Sequence, residues 1–388
     1  MSGIVLSASV RQNLLSLQST ASLLATTQND LATGNKVNSA LDNPTNYFTA
    51  QSLDNRASDI SNLLDSIGNG VQVLQAANTG ITSLQSLVDS AKSIANQVLQ
   101  TSVGYSTKSS VSTTAAVTGT AANLVDGVSI KNGDTLAIAA TGGGTATSIT
   151  FGASESLAQL NTALAANNLT ASLDSNNKLV ITTTNDAASS TVGAVTFTGG
   201  GTTPAAFGAV VAPVADPSSQ TIRSNLVSQY NNIIAQITTT AQDSSFNGIN
   251  LLNGDNLKLT FNENGKSTLS ITGVSYDATG LGLNTLTAGT DFLDNNSANK
   301  AIAALGNATT SLRTEASTLG SNLSIVQIRQ DFNKNLIDVL QTGSSNLTLA
   351  DSNQEAANSQ ALSTRQSIAV SALALANQSQ QSVLQLLR

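Results

Sequence analysis

Among 388 residues there is no His, no Cys and no Trp, so the only side chains that could exchange a proton near neutral pH are 23 Asp and Glu. That removes the usual zinc and haem ligand sets, a Cys nucleophile, a Ser-His-Asp triad and every disulfide. Carboxylate-only magnesium or calcium sites and paired carboxylates for acid–base work stay open. The first candidates are Asp42, Asp54, Asp59 and Asp65. Their positions near a helix start and along a helical stretch read as caps and solvated faces, not as a ligand cluster. Gly142-Gly143-Gly144 and Gly199-Gly200-Gly201 lack the helix start and Lys of a phosphate loop. Gly280-Leu281-Gly282 is followed by neither the helix start nor the ribose-binding acid of a dinucleotide turn. The interior arginines are Arg11, Arg56, Arg223, Arg313, Arg329 and Arg365. Two roles are open to them: plain surface solvation, or pairing with carboxylates of another subunit. No catalytic residue, cofactor site or metal site is expected, and the chain does not read as an enzyme.

Composition narrows the class further. Charged residues are only 10%, against about 25% in a typical globular domain. Ser, Thr, Asn and Gln occupy 162 positions, so the polar surface is mostly uncharged. A net charge of −7 offers no basic face for nucleic-acid phosphates. With 40% hydrophobic residues the chain can bury a core, unlike a disordered acidic tail. The first eleven residues, Met1 to Arg11, lack the apolar run of a secretory signal, and no window is long enough for a membrane helix. Taken alone, these features read as cytoplasmic.

Both ends of the chain carry helical periodicity. From Val10 a 4,3-spaced frame runs through Leu14, Leu17, Ala21, Leu24, Gln28 and Leu31, a heptad seam broken at Gly34. Pro44 suits the first position of a new helix, capped by Asp42 or Asn43. The next frame includes Leu53, Ala57, Ile60, Leu64, Ile67, Val71 and Leu74 and continues, after one slip, to Val98. One helix over residues 45–100 would be roughly 80 Å long. Towards the other end, Ile302, Leu305, Leu312, Leu319, Leu323, Val326, Ile337 and Leu340 keep a 3,4 alternation. After Gly343 a last frame holds Leu362, Ala369, Leu373, Ala376, Val383 and Leu387. The expected fold is therefore mainly α, with long N- and C-terminal helices paired as a coiled-coil or bundle rod. Its core would include Ile60, Leu64, Ile67, Val71, Leu74, Leu312, Leu319, Leu323 and Val326. The outermost stripes are rich in Ala, Gln and Ser, so they bury little area alone and need neighbouring chains. Their assembly seam would be Leu14, Leu17, Leu24, Leu31, Leu373, Val383 and Leu387.

Between 101 and 217 the pattern changes to short alternating strands at 128–130, 135–138, 148–151, 169–173, 179–182 and 192–198, with a helix near 156–166. Asn132-Gly133 and Ser175-Asn176-Asn177 are turn signals. Pro204, Pro213 and Pro217 beside Gly199-Gly200-Gly201 read as a linker. This stretch is expected to be a separate β-rich α+β domain. A helix through Ile222, Leu226, Tyr230, Ile233 and Ile237 ends near Phe246-Asn247-Gly248, and strands at 257–261 and 267–271 flank a hairpin turn. The expected division is an N-terminal helix and spoke over 1–43, a first rod helix over 44–100, and an outer insertion over 101–217. The remaining rod and hairpin would take 218–344 and a C-terminal helix 345–388.

Several runs in this layout resemble bacterial flagellin. They are Gln28 to Gly34, Lys36 to Asp42, Ile67 to Gln75, Phe246-Asn247-Gly248-Ile249-Asn250-Leu251-Leu252, and Leu375 to Gln378 with Val383 to Leu387. The resemblance implies a non-enzymatic subunit, exported unfolded through a type III apparatus without a cleaved signal, which revises the cytoplasmic reading. It implies self-assembly into an extracellular filament for swimming motility, with the terminal helices lining a central channel and Phe246 belonging to the rod. The implied partners are further copies of the chain, hook–filament junction proteins, the filament cap, an export chaperone and the export apparatus, with no nucleic acid and no membrane insertion. A hook–filament junction protein is the alternative, and an adhesin or hydrolase in 101–217 a remoter one. Two departures from the family stand out. The large insertion follows the first rod helix, and Leu87-Val88-Asp89-Ser90 has Val where many flagellins carry a receptor-contacting Arg.

Overall fold

A computed structural model describes residues 8–201 and 205–386. Pro204 and Leu387 lie outside the described residues. The chain is mainly helical, with small antiparallel sheets in its middle. It divides into two compact units. One takes the residues up to 69, the stretch 259–269 and the residues from 325 onward; the other takes 70–258 and 270–324.

The long helices start and stop where local chemistry dictates. Helix α1 (Ala8–Thr33) ends at Gly34, whose φ of +74° is left-handed and favours glycine. Helix α2 (Pro44–Gln100) is a single element of 57 residues. Pro44 fills its first position, and Asn43 rather than Asp42 is the cap, its Oδ1 accepting from the Asn46 amide at 3.0 Å. Asp42 instead accepts from the amides of Asn38 and Ser39 at 3.0 and 2.8 Å, closing the preceding turn.

Helix α5 (Asn295–Thr348) runs straight through Gly343, where the sequence frame suggested a break. A mid-helix Gly costs about 1 kcal/mol, and here Gly343 lies against Leu53, within packing distance of its Cδ1. The break comes later, at Leu349, which bridges to Asn35 while the Ala350 amide donates to Gly34. Asp351 then caps helix α6 (Ser352–Leu386) through the amides of Asn353 and Gln354. Helices α1 and α6 pair along their lengths.

In the second unit, α2 buries Val73, Leu74, Ala77, Ile81, Leu84, Val88, Ala91, Ala95 and Val98. Val88 is fully buried, so the position where an Arg was noted as missing faces inward. The helix α4 (Pro217–Asp243), capped by Asp216, buries Leu226, Tyr230, Ile234 and Ile237. Its Ile222, part of the expected frame, is exposed.

The inserted stretch holds strands β1 (Tyr105–Thr107), β2 (Ser110–Ser112), β3 (Thr135–Ile138) and β4 (Thr147–Thr150). Helix α3 (Leu157–Leu164) follows with a Ser156/Gln159 capping box. Then come β5 (Leu169–Leu173), β6 (Leu179–Thr183), β7 (Val195–Thr198) and β8 (Val214–Ala215). Their orders are β1-β8, β2-β6-β5 and β4-β3-β7. One cluster, including Leu136, Ile138, Phe151, Leu160, Leu164 and Ile181, forms the shared core of the two three-stranded sheets. No strand forms at 128–130. The Asp126 Oδ1 takes the amides of Val128, Ser129 and Ile130 at 2.6, 2.7 and 3.2 Å, so that backbone curls around a carboxylate and has no donors left for a ladder. Burial raises the pKa of Asp126, but the Thr118 hydroxyl and those amides outweigh it and hold the group well below the usual carboxylate range. Outside the insertion, β9 (Leu257–Thr260) and β10 (Thr268–Ile271) make the expected hairpin pair.

Candidate assembly surface

Among the described residues no group of three or more Asp and Glu could hold a metal, and no helix is long and apolar enough to cross a membrane. What stands out is apolar surface left uncovered in the first unit.

There, α2 and α5 pack Leu53, Ala57 and Ile60 against Leu336, Ile337 and Leu340. Buried polar side chains of α5 are satisfied. The Ser344 hydroxyl donates to the Ala50 carbonyl at 3.3 Å, and the Asn333 amide donates to the Phe261 carbonyl at 3.0 Å. Arg56 pairs with Glu263 at 2.9 Å, and the Arg329 guanidinium lies 5.9 Å from the Phe261 ring centre. Among the described residues, a neighbouring face of α5 has no cover. Ile325, Ile328, Phe332 and Val339 recur at helical spacing and are all exposed, Phe332 by 53%.

The α1–α6 pair is unfinished in the same way. On α1 the residues turned inward are Val10, Asn13, Leu17, Thr20, Leu24 and Thr27, while Leu14, Leu15, Leu23 and Leu31 are exposed. Thr20 can be buried because its hydroxyl donates back to the Ser16 carbonyl at 2.8 Å. On α6, Leu373 is half-buried and Ile368, Val370 and Leu375 are exposed. Val383 lies in α6 but its side chain, like Leu387, is outside what is described. Between the two helical pairs, Leu41 stands 95% exposed in the loop that follows α1. Of the expected core residues, Ile60, Ile67, Leu74, Leu312, Leu319 and Val326 are buried, and Leu64, Val71, Phe246 and Leu323 are half-buried.

Where α1 meets α6, carboxylates crowd. Burial, then the charges of Glu355 and Asp42, push Asp30 above its ordinary value of 3.8. Asp42 moves the other way, because the backbone amides of Ser39 and Asn38 hold its charged form. A carboxyl with a raised folded pKa binds extra protons in the folded state, so its contribution to stability grows as the pH falls through that pKa towards 3.8. Above that window the ionised Asp30 opposes pairing. Asp30→Asn should therefore raise the thermal midpoint at neutral pH by about 1–2 °C, as expected for a few tenths of a kcal/mol. The gain should vanish below about pH 4, which calorimetry at the two pH values checks. An equal gain at both would contradict the repulsion.

The arginines resolve unequally. Arg11, Arg313, Arg329 and Arg365 are exposed, Arg56 is in the ion pair above, and Arg223 is fully buried. Arg223 is neither a solvated side chain nor a contact for another subunit. Its Nε donates to Ser102, Nη1 to Phe292, and Nη2 to Val98 and Thr101, all backbone carbonyls at 2.6–3.1 Å. It closes the C-terminal end of α2 within the second unit. A sequence signal existed: Arg223, Val227, Tyr230, Ile234 and Ile237 share helical spacing.

The Phe246 run has an equally local logic. Asn247 and Gly248 both take positive φ, 50° and 80°, so Phe246 and Ile249 pair across a tight turn at the end of α4. The Asn250 amide then donates to the Ala241 and Gln242 carbonyls at 2.8 Å, closing α4, and Leu251 and Leu252 are buried. Gly80 of α2 is where this turn seats: a Cβ there would stand 2.7 Å from the Leu252 Cδ1 and collide with Ser244.

Comparison with known proteins fits this architecture. The bacterial flagellin N-terminal helical region matches residues 5–136, and the bacterial flagellin C-terminal helical region matches residues 302–387. Together they cover more than half of the chain. Flagellin FljM of Caulobacter vibrioides is 33% identical over 164 residues, which is 42% of this chain and 59% of that protein. Flagellin FljJ of the same organism is 30% identical over 184 residues, 46% and 66% of the two chains. Flagellin A of Rhizobium meliloti is 38% identical over 87 residues, 22% of each. The chain thus spans about three-fifths of the length of the Caulobacter relatives. With both terminal helical regions matched in order, and the turn, caps and paired helices that those regions need in place, the chain belongs to the bacterial flagellin family.

Proposed function

We propose that this chain is a structural, non-enzymatic subunit that polymerises into the extracellular filament of a bacterial flagellum and so serves swimming. The observation that carries the reading is the uncovered apolar surface of the first unit: Ile325, Ile328, Phe332 and Val339 on α5, with Leu14, Leu15 and Leu23 on α1 and Ile368, Val370 and Leu375 on α6. Burying four such side chains contributes on the order of 6–12 kcal/mol before association costs. Few monomers leave a stripe of that kind in water. The buried core of the second unit has no comparable deficit along α2. Neighbouring copies are the natural cover, because a charge-poor, Ser/Thr/Asn/Gln-rich surface can pair across seams without burying unpaired charge. On this reading α1 and α6 complete their packing around a central channel. Hook–filament junction proteins, a cap and an export chaperone and apparatus would be the further partners.

The test is seeded growth. Purified chain added to short filament seeds should extend them into long tubes visible by electron microscopy. Seeds that stay short at high protein concentration would refute the filament reading, and addition of a single terminal layer would point to a junction protein.

A further inference from the structure

The two three-stranded sheets of the insertion end in opposite ways. In β2-β6-β5 both outer edges are occupied. The segment 206–211 runs along β2, with Val211 and Ser110 exchanging backbone bonds at 2.8 and 3.2 Å and Gly208 donating to Ser112 at 2.9 Å. On the far side, the Asn161 side chain of α3 takes the Ala171 amide at 2.5 Å and donates to the Ala171 carbonyl at 3.1 Å, standing where a neighbouring strand would be.

In β4-β3-β7 neither outer edge is covered among the described residues. The Phe151 amide donates to Asp134 and the Ala139 amide to Ala194. Antiparallel alternation from those bonds turns the backbone groups of Ser148 and Thr150 outward on β4, and those of Val195 and Phe197 outward on β7. Among the described residues none of these outward groups has a hydrogen-bond partner. Thr147-Ser148-Ile149-Thr150 and Val195-Thr196-Phe197-Thr198 carry no charge, no Pro and no bulge, which are the usual protections of an edge. The core-facing side is already filled through Leu136, Ile149 and Phe197, so only the edges are free.

Direction selects the partner. β4 and β7 are each antiparallel to β3 and therefore run parallel to one another. A β7 edge laid on the β4 edge of another copy extends the sheet and leaves one β4 and one β7 free at its ends. That is a head-to-tail contact, which propagates without closing. A β4–β4 or β7–β7 contact needs a two-fold axis and stops at a dimer. We propose that the β7 edge of each subunit pairs with the β4 edge of a neighbouring copy in the filament, linking the insertions into continuous sheets. This rests on the filament reading. Each contact is short and weak, and it is sustained by the high effective concentration that helical packing provides.

The absence of Cys makes the test clean. Ser148 and Thr196 are exposed on the solvent face of the sheet. The Ser148→Cys/Thr196→Cys double variant, polymerised and then treated with a short bis-maleimide, should give a ladder of covalent multimers on a denaturing gel. Adding Thr150→Pro, which removes an outward amide, no bond to β3 and no core side chain, should cut the ladder at least tenfold while filaments still grow. In filaments of the unsubstituted chain, the Ser148, Thr150, Val195 and Phe197 amides should exchange at least tenfold slower than in monomer. Filaments without a ladder and without that slowing would overturn the edge pairing alone, and dimers without higher multimers would replace it by a two-fold contact. Failure of the unsubstituted chain to elongate would instead overturn the filament reading, and this pairing with it.

Discussion

Arg223→Ala is expected to destabilise the second unit by about 3–5 kcal/mol, because it removes a buried charged donor and leaves several buried carbonyls without it. The guanidinium is fully buried and makes four bonds to carbonyls, of which Val98 belongs to the last turn of α2 and Thr101 and Ser102 follow it. Val98 also accepts from the Thr101 hydroxyl at 2.8 Å, and a cation at the negative end of a helix is favoured. The fourth carbonyl belongs to Phe292, a bulky residue at φ +59°, which packs edge-on against Tyr230 with ring centres 5.8 Å apart. One side chain thus fixes where α2 stops and holds a strained residue shortly before α5 begins. Burial lowers the Arg223 pKa and the nearby Asp294 carboxylate opposes that shift. Arg223→Lys keeps the charge but not the fork, and should recover less than half of the loss. Urea unfolding of the three proteins is the measurement. A loss below about 1 kcal/mol for the Ala variant would mean that water replaces the guanidinium without cost.

The second large effect concerns assembly. Deleting residues 370–388 should abolish seeded elongation, raising the critical concentration by roughly 100-fold or more, equivalent to about 2.7 kcal/mol, while circular dichroism still reports a folded helical protein. The deletion removes Val370, Leu373 and Leu375 from α6 and uncovers the α1 residues that pair with it. It leaves the buried core of the second unit intact. If the truncated chain still extends seeds at the original concentration, the terminal pair does not drive polymerisation.

How far the sequence could be read depended on how local the cause was. Helix α2 was legible nearly to the residue because Pro44, an Asn cap and a 3,4 pattern with a single slip all act within a few positions. Strands β3 and β5 agree at both ends with their alternating runs. The stretch 128–130 alternates equally well, yet one carboxylate three-dimensionally close to three amides decided against a strand. Periodicity does not report that competition. Strands β1, β2 and β8 were invisible because two- and three-residue strands carry no period, and β2 is held by β6 and by a segment about 100 residues away in sequence. On the candidate surface the leucine frame spans two faces, Leu17 and Leu24 being half-buried within the chain and Leu14 and Leu31 exposed. The inward α1 positions Asn13, Thr20 and Thr27 are polar by type, so a frame drawn through leucines took Leu14 and Leu31, which face out. Thr can face inward because its hydroxyl bonds its own helix, and leucines can face out if another chain covers them. Arg223 was misread for a related reason: residue type suggested surface, while its helical spacing matched the buried face.

The claim at the centre is that the first unit is completed only by neighbouring copies. Hydrogen exchange on monomer and on seeded filament tests it directly. In monomer, the amides of α1 and α6 should exchange quickly while those over 73–98 of α2 are already strongly protected. In the filament, α1, α6 and the Ile325–Val339 stretch of α5 should slow by at least 100-fold, with little change over 73–98. Equal protection of α1 and α6 in monomer and filament would contradict it.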